Sequence, residues 1–466
     1  MSAKGGGALN LEGDAPSADF LIVGAGAMGM AFADVIVKET DASVLLVERQ
    51  DRPGGHWNHA YPFVRLHQPS TFYGVNSRDL GSGRVDQVGG NAGMRELASG
   101  AEVCDYFESV LRHDLLPTGR VGFLGQTEHM GGGRLRSRVT GRERQATARV
   151  MVDATYMKVK VPATEPPAFE VADGVDCRPP NALADLDRAP STFVIVGAGK
   201  TAYDAIYHLL DRDVDPDAII WIAPRDSWVF NRARFQPGDV LTGFLPQMAA
   251  IAESTSPEDA FARVEATGSL MRVDPNVTPQ MFRCATVSER EIEAIRRVKN
   301  VVRLGRVTRL EPGRIELDQG SVDVPEDTLF VNCTADGLER LPPRPIFEGD
   351  QITLQAIRGC QQVFSAALIA HVAGLDRPEA EKNAICHVDP HPDSAMDYFT
   401  LVGSWLGGEM RWAQDAELFQ WLTQCRLSAF SHEFAELMLG RGAVPPEQAG
   451  AIAQAALEKI QAYAAR

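Results

Sequence analysis

Cysteine is scarce in this chain. There are seven in 466 residues, at Cys104, Cys177, Cys284, Cys333, Cys360, Cys386 and Cys425. The number is odd and no two form a C-x-x-C pair, which argues against a disulfide scaffold, a thioredoxin-type pair and a structural zinc site. Long apolar runs are also missing. The longest, Phe20 to Val37, is interrupted by Asp34 and three glycines, which disfavours a membrane span. The first 17 residues lack the basic and apolar regions of a signal peptide, so a flexible leader over 1–17 and a cytoplasmic location are expected. Positive charge is in deficit: Lys+Arg 46 against Asp+Glu 62 gives a net charge of −16. Such an anion is poorly suited to nucleic acid or to an anionic membrane, and neither is expected as a partner. What remains is ordinary for a globular protein, with 44% hydrophobic and 23% charged residues. The length allows about three domain-sized units.

One grammar occurs twice. The apolar strand Phe20-Leu-Ile-Val23 runs into Gly24-Ala-Gly26-Ala27-Met28-Gly29, and a helical pattern follows to Glu39. A second strand, Val44-Leu-Leu-Val47, ends at Glu48. About 170 residues later, Phe193-Val-Ile-Val196 enters Gly197-Ala-Gly199-Lys200-Thr201-Ala202, a helical stretch to Leu210 and the strand Ile219-Ile-Trp-Ile222. A strand, a glycine turn and a helix make a dinucleotide-binding βαβ unit, because the helix N-terminus offers free N–H groups and a positive dipole to a pyrophosphate. In that geometry Gly24 permits the tight turn, Gly26 admits the pyrophosphate, and Gly29 lets helix and strand pack closely. Glu48, about 20 residues beyond Gly29, is placed to accept the ribose hydroxyls.

The second unit carries different chemistry at the equivalent place. No acid ends its second strand; Pro224-Arg225 follows instead. An arginine there suits the 2′-phosphate of NADP, so NADPH is preferred to NADH, and Lys200 and Thr201 add charge and a hydroxyl in the turn. The competing reading makes Arg225 a solvated strand-end charge. A P-loop is excluded, since Val194 stands where its first glycine belongs. Elsewhere, Arg120 to Asp153 reads as antiparallel strands with a turn at Gly131-Gly-Gly133, and Arg303 to Val324 as a hairpin turning at Pro312-Gly313. No G-x-S-x-G elbow supports a hydrolase. The run Cys386-His387-Val-Asp389-Pro-His391 matches no standard zinc spacing, and no metal is expected.

After Glu48 the chain reads Arg49-Gln-Asp-Arg-Pro-Gly54-Gly55-His56-Trp57. This run resembles the two-dinucleotide-binding-domain flavoproteins, above all the flavin-containing monooxygenases and their Baeyer–Villiger relatives. Val150 to Tyr156 and Val331 to Gly337 resemble the family's two interdomain crossings. The resemblance implies FAD on the first glycine turn, with Gly55, His56 and Trp57 against it. It also implies that the helix opened by Cys360-Gln361-Gln362 points its N-terminus at the flavin pyrimidine. Trp57 read alone is as well explained by core packing.

Two departures stand against the family pattern. Its F-x-G-x-x-x-H motif is absent from Phe169 to Leu183, and His67 falls where the family has an asparagine. Arg65, His67, Gln68 and Tyr73 make a polar cluster expected to line the flavin front. His67 and Gln68 are the candidate catalytic residues, for peroxide stabilisation or proton delivery; a capping or surface role for His67 is the alternative.

The expected fold is therefore α/β, with two Rossmann-like domains. The FAD domain would comprise 18–158 and 325–466 with a helical tail, 159–188 would be a linker, and 189–324 the NADPH domain with a helical insertion. The resemblance implies an FAD- and NADPH-dependent monooxygenase that transfers one oxygen atom from O2 to a small organic substrate through a flavin C4a-hydroperoxide, in a possible homodimer. An NADPH-dependent reductase, oxidase or dehydrogenase without oxygenation, or a non-catalytic redox sensor, stays open.

Overall fold

The computed structural model describes residues 7–11, 13, 15–428, 430–442 and 444–465. Most of the glycine-rich part of the expected leader lies outside them; Gly7 donates to Asp19, and Asn10 pairs with Ser17 at the start of the first strand.

Two parallel sheets organise the molecule. The first has the strand order Phe347–Glu348, Gln351–Thr353, Thr147–Asp153, Ser17–Val23, Val44–Val47, Val121–Leu124. All neighbours are parallel except the short edge pair. Its central strand is almost continuously apolar because both faces are covered. On one face, Ile22, Val44 and Leu46 pack with helices Ala27–Glu39 and Gln362–Gly374. On the other, Leu21, Leu45 and Val47 meet Leu135 of a three-stranded antiparallel sheet, Thr127–His129, Arg134–Ser137 and Glu143–Gln145, and Ala146 just beyond it. The glycine turn at 131–133 joins the first two of these strands, as the sequence predicts, and all three glycines have positive φ. Val121–Leu124 and Thr147–Asp153, expected to be antiparallel, instead belong to the parallel sheet.

The second sheet has the order Asn300–Val302, Ile219–Ile222, Thr192–Val196, Thr328–Asn332, Asp176–Arg178, all parallel. Helices Lys200–Leu210 and Glu289–Ile295 share one apolar cluster with it. Its opposite face packs on Val307–Glu311, Arg314–Leu317 and Gly320–Asp323, whose first turn falls at Gly313. Two expected boundaries change here. Thr328–Asn332, assigned to the first domain, and Asp176–Arg178, assigned to the linker, are both strands of the second sheet. An apolar strand fits either parallel sheet equally well, so only the tertiary pairing assigns it.

A third layer covers the junction. Ser227–Asn231 lies between Leu270–Met271 and Met281–Val287. Helices Val240–Ala252 and Pro257–Ala266 pack with the tail helices Asp397–Trp412 and Pro446–Ala464 around Phe244, Phe261, Phe282, Tyr398 and Trp405. The tail thus completes the core of the insertion. Trp405 and Trp412 are buried, as core residues should be. No described helix is long and apolar enough to cross a membrane.

Candidate active site

The first glycine turn is built as the sequence requires. Gly24 sits at φ 96 and donates to Val47 O at 2.8 Å. A Cβ on Gly29 would fall 2.0 Å from Gly24 O, so helix and strand touch backbone to backbone. Gly26 caps the helix without a side chain, Ala27 is half-buried, Met28 is buried, and the first-turn N–H groups stay free for an anion. Buried Glu48 accepts from Ala25 N–H at 2.8 Å and from Gln50 N–H at 3.0 Å. Each carboxylate oxygen keeps a second lone pair for a ribose hydroxyl. Arg49 is exposed, and its carbonyl accepts from Arg138.

The loop after Glu48 folds back on this turn. Gly54 N–H donates to Ala25 O at 3.0 Å, with Gly54 and Gly55 at φ 115 and 56. Gly26 and Gly55 face each other bare: a Cβ on Gly55 would lie 3.0 Å from Gly26 Cα. This narrow, side-chain-free cradle fits a dinucleotide that approaches backbone closely. His56 stacks obliquely on Trp57, and burial lowers its pKa to about 4. Trp57 Nε1 donates to Tyr73 Oη at 2.7 Å. Gln362 opens its helix with both amide atoms buried and without a partner among the described residues. A buried unsatisfied amide is costly, so this one is poised for a ligand.

The second turn repeats the pattern with one difference. Gly197 sits at φ 129, where a Cβ would meet Cys333 O at 2.8 Å. Around Gly199 a Cβ would meet nothing within 4 Å, which leaves room for a phosphate. Lys200 pairs with Asp204, which also accepts from Tyr61 Oη at 2.7 Å; the Tyr61 hydroxyl is also within reach of Thr201. Burial, then the Asp204 carboxylate, pushes the Tyr61 phenol far above its ordinary range. Arg225 stands at the carboxyl end of the second strand, but its guanidinium is held by both oxygens of Asp393, at 2.8 and 2.9 Å. Asp393 also binds Arg283.

His67 lies between the two domains. Its Nδ1 accepts from Thr286 N–H at 3.2 Å, so the ring proton sits on Nε2. Burial, then the charges of Lys200 and Arg232, lowers its pKa to about 3. It is a neutral hydrogen-bond donor, not an imidazolium. Gln68 beside it is half-buried. The expected four-residue cluster is not assembled: Arg65 turns outward to Leu97 O, and Tyr73 points to Trp57. The intervening segment is irregular, so no side-chain periodicity fixes their directions.

Sequence reasoning missed what holds His67. Arg232, with a side chain 1% exposed, pairs with Glu291 at 2.8 Å and donates to His67 O at 2.9 Å. Glu291 is drawn in by the Ser288–Glu291 capping box at its helix start. Burial pushes its carboxyl up, but Arg232 and Lys200 outweigh that and hold it at about 2. The available signal was Arg232 directly after the apolar strand Trp228-Val-Phe-Asn231, a place where a buried arginine needs an acid. Among the remaining polar tail residues, Asp389 accepts from Gly359 N–H and Ser404 Oγ. The pairing of Cys284 with Cys360 was also unforeseen.

A family model for the NAD(P)-binding Rossmann-like domain matches residues 22–71. That span holds the first glycine turn, Glu48 and the loop through His67. Among solved structures, a flavin-containing monooxygenase from Stenotrophomonas maltophilia is 14% identical, with 79% of this chain and 99% of that one covered and a TM-score of 0.47. An oxidized steroid monooxygenase bound to NADP is 16% identical, with 96% and 98% covered and a TM-score of 0.47. In sequence, Uncharacterized protein Rv2000 of Mycobacterium tuberculosis and Uncharacterized protein Mb2023 of Mycobacterium bovis are each 49% identical over 416 residues, 88% of this chain and 77% of theirs. At that identity and coverage, the chain belongs to the same protein family as these mycobacterial proteins.

Proposed function

We propose that the chain is an FAD-dependent, NADPH-consuming monooxygenase acting on a small organic substrate by N- or S-oxygenation or by Baeyer–Villiger insertion. One observation carries this reading. A single loop links the two glycine turns: Gly54 is bonded to Ala25 beside the first, and Tyr61 is bonded to Asp204 on the helix of the second. Two dinucleotides held on these turns would meet at the segment between, which contains His67 and Gln68. Bound FAD supplies hydride acceptance from NADPH and the activation of O2. The chain's residues then orient and shield. Gly26, Gly55 and the helix start at Ala27 receive the FAD pyrophosphate, and Glu48 its ribose. Gln362 offers its unpaired amide to the flavin. Gly199, Lys200 and Thr201 receive NADPH. Neutral His67 donates from Nε2 toward the reacting centre, and the Trp57–Tyr73 pair walls the flavin side. Arg225 would read the 2′-phosphate only by sharing its guanidinium with Asp393.

A second reading, an NADPH reductase or oxidase, is favoured by His67 in the place of the family's asparagine. The test is anaerobic reduction of the purified flavoprotein by NADPH, then mixing with O2 and candidate amines, sulfides and ketones. Oxygenated product in proportion to NADPH is expected. Hydrogen peroxide alone with every substrate would select the second reading, and failure to bind FAD would overturn both. A cytoplasmic location, from the sparse cysteine, and a homodimer, from the resemblance, complete the proposal.

A further inference from the structure

Two of the seven cysteines stand apart from the rest. Cys284, in strand Met281–Val287, and Cys360, in the turn before helix Gln362–Gly374, are joined sulfur to sulfur with Cα atoms 6.5 Å apart. They come from different layers, 76 residues apart in the chain. Cys284 holds φ 57, a left-handed conformation that a non-glycine residue adopts at steric cost and that marks sites of function. Cys360 is half-buried, and His391 Nδ1 lies 3.8 Å from its sulfur. His391 also lines a shallow surface cleft with Tyr156, Met157 and Gln355. Arg283, Arg340, Asp336 and Asp393 face the imidazole, but burial dominates and keeps it neutral, with a pKa of about 4. A neutral imidazole can accept a thiol proton and return it. The other five cysteines differ: burial raises the thiol pKa of Cys104, Cys177, Cys333, Cys386 and Cys425, which keeps them protonated and unreactive.

We infer that Cys284, Cys360 and His391 form a thiol–disulfide exchange site whose substrates are small thiols and their disulfides. An external thiolate attacks the Cys360 sulfur, the more accessible of the two. The Cys360–Cys284 bond breaks, and Cys284 leaves as a thiolate that takes a proton from solvent. A second external thiol then attacks the outer sulfur of the mixed disulfide. The external disulfide departs, and Cys360 receives that thiol's proton through His391 Nδ1. Two external thiols are oxidised and one protein disulfide is reduced, so atoms and electrons balance. In a reducing compartment a persistent disulfide is rare, and an exchanging one is the usual form. The exchange would also act on the proposed active site. Closed, it ties the strand that carries Thr286, the hydrogen-bond partner of His67, to the turn that leads into Gln362 and its helix. Opening it frees that strand.

The test uses the native full-length protein, incubated with glutathione, acid-quenched, alkylated and mapped by peptide mass. Two thiols should appear together, at Cys284 and Cys360, while the other five cysteines stay unlabelled. Cys284→Ser, incubated with oxidised glutathione, should trap one glutathionyl group on Cys360 of the folded protein as reduced glutathione leaves. His391→Gln should slow release of Cys360 from its mixed disulfide by about tenfold, with the fold unchanged by circular dichroism. A disulfide that survives until the chain is unfolded overturns the inference. So does full alkylation of both cysteines in air before any thiol is added, or a folded Cys284→Ser protein that takes up no glutathione. An unchanged rate in His391→Gln overturns the role given to the imidazole.

Discussion

Replacing Gly29 with alanine tests the first cradle most directly. The new Cβ would stand 2.0 Å from Gly24 O, 3.1 Å from Gly24 C and 3.3 Å from Ala154 Cβ. A comfortable carbon–oxygen contact is roughly 3.3 Å, so the helix start must withdraw by about 1.3 Å. No flexible side chain can yield, because the nearest obstacle is the backbone of Gly24 in the turn itself. Overpacking of this kind costs about 1–3 kcal/mol. Withdrawal also stretches the Gly54 N–H to Ala25 O and Ala25 N–H to Glu48 bonds, each contributing about 1 kcal/mol. A loss of about 3 kcal/mol is therefore expected in urea unfolding, together with at least about a tenfold weaker FAD affinity by fluorescence titration. Gly26→Ala separates the two effects. Its Cβ would meet only Gly55 Cα, at an ordinary 3.6 Å, so the fold should be unaffected while FAD affinity falls because the methyl occupies the pyrophosphate approach. Wild-type stability and wild-type FAD affinity in Gly29→Ala would refute the reasoning. Equal FAD affinity in Gly26→Ala would show that no dinucleotide backbone passes there.

Three further outcomes are expected. Gln362→Leu removes an amide that has no partner among the described residues, so its urea midpoint should hold or rise while FAD binding weakens; a loss of stability without a change in FAD affinity would make Gln362 a purely structural residue. Glu291 is held at about 2, against 4.5 for a free glutamate, so its stabilisation is full above pH 4.5 and disappears as pH falls toward 2. That window corresponds to about 3 kcal/mol, and Glu291→Gln should flatten the acid limb of the stability curve; an unaltered limb would mean that the Arg232 pair does not set it. Arg225→Ala should raise KM for NADPH by about tenfold and leave that for NADH unchanged if the guanidinium reads the 2′-phosphate. Equal changes for both nucleotides would restrict Arg225 to positioning Asp393.

Local chemistry was legible in the sequence. Gly24, Gly26 and Gly29 are spaced for a strand-to-helix turn, and the turn forms there because each glycine answers a constraint set within a few residues. The same holds for Glu48 at its strand end, for the glycines at 131–133 and for Gly313 in its hairpin. Partners distant in sequence were not legible. His67 looked like a member of the cluster with Arg65 and Tyr73, yet its ring is fixed by Thr286 and its carbonyl by Arg232. Arg225 looked free for a phosphate and is bound to Asp393.

The sequence by itself determined two dinucleotide-type turns and the strands and helices that carry them, because periodicity, glycine placement and strand-end charge are local properties of the chain. Tertiary structure decided which sheet received Thr328–Asn332, which cation met Glu291, and which two of the seven cysteines met. Those choices depend on parallel pairing, burial of opposite charge and the meeting of separate layers. Contacts of that kind carry no signature in residue spacing, since the energy that selects them exists only after distant segments have been brought together and dried.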